Sequence, residues 1–102
     1  MADDMEGQKD MPATTEGTTL TVPMVHMNGT SRTALFDGYY RALQAVQDAM
    51  IVVRECAPNG RDYYPLGGDA ILRAMDEHKA RVQKLYDISK ELQVLAEAVV
   101  ES

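Results

Sequence analysis

Two short polar stretches hold most of the side chains in this chain that could do chemistry. They are His26-Met27-Asn28-Gly29-Thr30-Ser31-Arg32 and Pro58-Asn59-Gly60-Arg61-Asp62-Tyr63-Tyr64-Pro65. In the first, two hydroxyls and a guanidinium stand at what reads as a helix start. Unpaired backbone N–H groups and the positive end of a helix dipole favour an anion there. In the second, Arg61 offers a fork of donors for a phosphate, while Tyr63 and Tyr64 offer ring faces for stacking. Making the turns would need only the Asn-Gly pairs. The expected site is therefore ligand-binding and combines Asn28, Thr30, Ser31 and Arg32 with Asn59, Arg61, Asp62, Tyr63 and Tyr64. A small phosphate-containing molecule is the expected ligand.

Each of these residues also has an ordinary structural use. Ser31 or Thr30 can be a plain N-cap. The adjacent tyrosines can lie over a core edge with their hydroxyls partnered. The first stretch lacks the spacing of a P-loop and so implies no nucleotide triphosphatase.

Outside the two stretches the candidates are single residues. His78 falls among apolar positions and reads as a polar residue that sets helix register. No second His or Cys stands at ligand spacing from it, so no metal is expected. Cys56 reads as a small apolar residue. Helix spacing assembles no Ser/His/Asp group, no Cys/His pair and no convergent carboxylates. The chain is thus expected to be no enzyme and to need no cofactor.

The elements that must position these groups are two helices. The first is expected to start near Ser31 or Thr33 and to stop before Pro58. Its apolar stripe is Leu35, Tyr39, Leu43, Val46, Met50, Val53 and Ala57, in steps of four and three. Gly38 interrupts it at a cost of about 1 kcal/mol relative to Ala, and could admit a close neighbouring helix. The second is expected from Asp69, as N-cap, to about Val99. Its seam is Ile71, Met75, His78, Val82, Leu85, Ser89, Leu92, Ala96 and Val99, a heptad pattern. Roughly ten residues between the helices predict an antiparallel hairpin. Such a hairpin sets Met50 and Ile51 near Met75, Val46 and Gln47 near His78, and Asp37 near Ser89. Leu95 to Val99 are then left bare, with the arm Leu20–Val25 as their cover.

The expected organisation is a disordered acidic tail over 1–19, an extended arm over 20–30 and an all-α two-helix hairpin over 31–102. The tail sets Asp3, Asp4, Glu6, Asp10 and Glu16 against Lys9 alone and accounts for most of the chain's formal charge of −6. From Leu20 on, acids and bases nearly balance, which disfavours a nucleic-acid binder relying on broad phosphate neutralisation. No apolar run approaches the ~20 residues of a membrane span. A lone cysteine and no apolar leader fit a reducing cytoplasm.

A hairpin of this size buries one stripe per helix, and Phe36, Tyr40, Ile51, Val52, Leu72, Tyr86, Ile88, Val94 and Leu95 lie off those stripes. The chain is therefore expected to homo-oligomerise, most simply into a four-helix bundle. The two polar stretches lie at opposite ends of one hairpin, and an antiparallel dimer would bring them together.

The order His-x-Asn-Gly-Thr-Ser, then Pro-Asn-Gly-Arg-Asp-Tyr-Tyr-Pro, then Asp-Glu-His-x-Ala-Arg resembles a group of small helical proteins encoded by bacteriophages and prophages. The resemblance spans about Val22 to Val99. It implies a phage origin and no particular chemistry. With it, the expected function is non-enzymatic binding of a small phosphate-containing ligand by an oligomer in the host cytoplasm, for instance to sequester a host nucleotide signal. The competing expectation is a structural, assembly or adaptor protein, in the virion or elsewhere, acting through protein contacts.

Overall fold

A computed structural model describes residues 13–15 and 18–101. Two helices make up nearly all of it: α1, Arg32–Glu55, and α2, Ala70–Glu101. They pack against each other as the expected hairpin. Ahead of them β1 (Ala13–Thr15) and β2 (Thr18–Leu20) form a short antiparallel ribbon with Ala13 opposite Leu20. β1 lies against α2. Of the expected acidic tail, the residues Asp3, Asp4, Glu6, Lys9, Asp10 and Glu16 lie outside the described residues. Beyond Leu20 the arm has no regular structure until Gly29, whose N–H donates to the His26 carbonyl at 3.1 Å. No helix among the described residues is long and apolar enough to cross a membrane.

Local chemistry sets the helix limits. Ser31 is extended, and its Oγ accepts from Ala34 N at 3.1 Å, so α1 starts at Arg32. At the other end Cys56 N–H donates to the Val53 carbonyl, and Pro58 follows. Along α1, Leu35, Tyr39, Leu43, Val46 and Val53 are half-buried and Met50 is buried. Ala57, expected on this stripe, lies past the helix end and is exposed. Gly38 has nothing within 4 Å of where a Cβ would stand, so no helix of this chain approaches it closely.

On α2 the seam runs as expected from His78 onward: His78, Ser89, Ala96 and Val99 are buried, and Val82, Leu85 and Leu92 are half-buried. Its first turns differ. Ala70 and Ala74 are buried, whereas Met75 is 47 % exposed. The contact line 70, 74, 78, 82 advances in steps of four, and each step drifts about 40° around a helix of 3.6 residues per turn.

The alignment of the two helices also differs from the expected one, by about one and a half turns. Arg32 Nε donates to the Val99 carbonyl at 3.3 Å, so the start of α1 lies beside Val99. Counting back at equal rise, the end of α1 falls opposite about Asp76. The residues from Ala70 to Met75 therefore project past α1, and Leu95 to Val99 are not bare. Val99 is fully buried. The connection explains the shift. It occupies Cys56 to Asp69, longer than expected, and contains two 3-10 turns, Gly60–Asp62 and Tyr64–Leu66. The second of these packs on α2, and Pro58 and Tyr63 are half-buried. A connection with this much structure climbs along α2 before reversing. Gly67, at φ 110° and ψ 163°, makes the final change of direction in a region essentially reserved for glycine.

Candidate functional site

At the start of α1, the polar groups expected to meet a ligand are largely engaged by the fold. Ser31 Oγ is the N-cap. Arg32 is engaged by α2: its Nε donates to the Val99 carbonyl at 3.3 Å. Asn28 and Thr30 remain exposed. The exposed His26 ring lies over Gly29, where a Cβ would come within 2.6 Å of Nε2. A side chain at position 29 would have to turn this exposed ring aside, and the backbone there has no positive φ that would itself call for glycine.

The connecting loop is divided in its roles. Asn59 Oδ1 accepts from Arg61 N at 2.9 Å and caps the first 3-10 turn. Tyr63 is half-buried, while Arg61 and Asp62 are exposed. Tyr64 stands 76 % exposed beside Leu66 at 70 %. The 24 residues of α1 separate the two polar stretches by about 36 Å. One chain does not bring them together.

A third feature escaped the residue-type reading. Where α1 stops, a groove of about 490 Å³ opens between its last turn and α2. Arg54 stands on one side, His78, Lys79, Val82 and Tyr86 on the other. The His78 side chain is buried, and its Nε2 has no hydrogen-bond partner among the described residues. Among the described residues no carboxylate lines the groove. Gln83, also in the lining, donates to Asp87 Oδ1 at 2.8 Å. Lys90 Nζ lies 5.9 Å from the Tyr86 ring centroid. The sequence signal was present but incomplete. Arg54, Lys79 and Tyr86 each follow a stripe residue by one position (Val53, His78 and Leu85). In antiparallel helices that offset turns to the same side of the pair. Which Arg then faces which Lys depends on the alignment of the helices.

The remaining single candidates are placed simply. Cys56, read as a small apolar residue, is exposed, and its Sγ lies 3.6 Å from the Val52 carbonyl. Among the described residues no group of three or more His, Cys, Asp or Glu could hold a metal ion. No family model matches the chain, and no curated protein or solved structure matches it either.

Proposed function

We propose that the protein is a non-enzymatic, homo-oligomeric helical protein of phage type that binds a small phosphate-containing ligand where one copy's loop meets another copy's helix start. The observation that carries this is the exposure of Arg61, Asp62 and Tyr64 in a loop whose folding is already provided for by Asn59, Pro58 and Tyr63. An exposed tyrosine beside an exposed arginine has no use in the loop itself and suits a phosphorylated ring compound. Asn28 and Thr30 supply further donors from the second copy. Ser31 and Arg32 contribute by holding that end in shape. Calorimetry with a panel of nucleoside phosphates tests this. The expected result is saturable binding weakened at least tenfold by Arg61→Ala and by Tyr64→Ala. Uniform absence of binding across the panel would sink it.

A second reading, an assembly or adaptor protein, is favoured by a different observation. Phe36, Tyr40 and Ile51 on α1 fall within about 60° of arc, as do Leu72, Met75 and Tyr86 on α2. All six are exposed. Both strips lie one residue beyond the buried stripes, hence on one side of the hairpin. Phe36 and Tyr40 stack at 5.9 Å. Tyr40 Oη accepts from Gln44 Nε2 at 3.1 Å, which holds the ring in place. A face of this kind suits a second copy or another helical partner. Co-purification with virion proteins, together with no nucleotide binding, is the outcome that reading requires.

A further inference from the structure

We propose that the groove at the end of α1 is a separate binding site for a small organic phosphate carrying a ring. Its charged group would lie between Arg54 and Lys79 and accept from His78 Nε2, and its ring would rest against Val82 and Tyr86. This site shares no residue with the polar-stretch site and does not depend on it.

The orphaned nitrogen is the first reason. His78 is only 8 % exposed, and Nε2 is buried without a partner. A buried polar atom in that state has lost its water without gaining a partner, which destabilises the empty groove. Nε2 donates in one of the two neutral tautomers and in the imidazolium; the atom itself is closed to solvent, so the ring must turn toward the groove that His78 lines for an acceptor there to remove that cost. Water can serve, but the neighbouring groups favour a charged acceptor.

Charge is the second reason. In a chain of formal charge −6, the groove lining carries Arg54 and Lys79 and no acid. Arg54 is in the last turn of α1 and offers a planar fork of donors; Lys79 offers a point charge. Two cations and an imidazole donor suit the several acceptor oxygens of a phosphate monoester.

Shape is the third. A groove of about 490 Å³ lies within the usual range for small-molecule sites. Val82 and Tyr86 follow His78 at intervals of four on α2, so they form a continuous apolar wall leading away from the charged end. Lys90, 5.9 Å from the Tyr86 ring centroid, helps to hold that ring.

The experiment is a titration of the full chain with phenyl phosphate, followed through the imidazole resonances by two-dimensional NMR. The His78 ring signals are expected to move on a saturable curve, with those of His26 unmoved. Inorganic phosphate should bind about tenfold more weakly, because it leaves Val82 and Tyr86 untouched. The double variant Arg54→Gln/Lys79→Gln should weaken phenyl phosphate by at least about tenfold. The proposal is overturned if His78 does not respond up to about 10 mM, or if the double variant responds like the parent. It is equally overturned if dilution of the protein alone shifts His78 and phenyl phosphate does not, since a second copy then fills the groove. Binding abolished by Arg61→Ala but retained in the double variant would assign the anion to the polar loop. That result defeats the groove site and leaves the function proposed above standing.

Discussion

Where α1 begins and α2 ends, the polar side chains serve the fold: Ser31 caps α1, Arg32 donates to the Val99 carbonyl, and Val99 is wholly buried beneath them. Where α1 ends and α2 begins, His78 is buried with a nitrogen that has no partner, and Tyr64, Leu66 and Leu72 are each at least 60 % exposed. The two ends have similar inventories of Arg, hydroxyl and amide groups. What separates them is whether those groups find partners within the chain. At the first end the cap and the guanidinium are engaged within the chain and only Asn28 and Thr30 are left exposed, whereas the second end holds a buried nitrogen without a partner among the described residues. Ligand or partner chemistry is therefore expected to concentrate at the loop end of the hairpin.

The largest expected effect comes from breaking the closed end. Val99→Ala removes methyl groups from a side chain with no exposure, and should lower stability by about 2 kcal/mol in urea unfolding. A loss under about 0.5 kcal/mol would mean that this end is looser than its packing implies.

Next is the repair of the open end. His78→Leu replaces a buried unpartnered polar group with an apolar one in the same seam, and should raise stability by about 1 kcal/mol. On a chain of this size that is a rise of about 5 °C in Tm, measured at one protein concentration so that association does not contribute. A fall in Tm would show that Nε2 has a partner in solution.

The smallest effects separate fold from function directly. Ser31→Ala removes the N-cap and should cost about 1 kcal/mol. Tyr64→Ser, at an exposed loop position, should stay within about 0.5 kcal/mol of the parent while weakening ligand binding. Urea midpoints of the two variants, compared side by side, check both. A Tyr64→Ser loss as large as that of Ser31→Ala would make the tyrosine a structural residue and remove the main support for the loop site.

Much of the hairpin was legible from residue order. The α1 stripe from Leu35 to Val53 and the α2 seam from His78 to Val99 follow helical spacing, and Ser31 and Pro58 mark the limits of α1. The alignment of the helices was not legible, because it depends on the path of the connecting chain. Nothing in Asn59-Gly60-Arg61-Asp62-Tyr63-Tyr64 states that two 3-10 turns will climb along α2. The groove escaped for the same reason. His78 was visible as a polar residue in an apolar seam, but its neighbours across the groove, Arg54 and Ala57, come from more than twenty positions away, and an error of about one and a half turns replaces them with others. The polar stretches were visible as groups of donors. That Arg32 would turn to the end of α2 required knowing that Val99 lies beside it.

By itself the sequence determined what is periodic and local: two helices, their caps, their apolar faces and the loop rich in donors. Backbone hydrogen bonding and side-chain spacing act over a few residues, so residue order suffices for them. Only the tertiary structure decided which polar groups are satisfied. Satisfaction is a property of pairs, Arg32 with Val99 or His78 with no partner among the described residues, and those pairs are set by how far one helix slides along the other before the loop holds it.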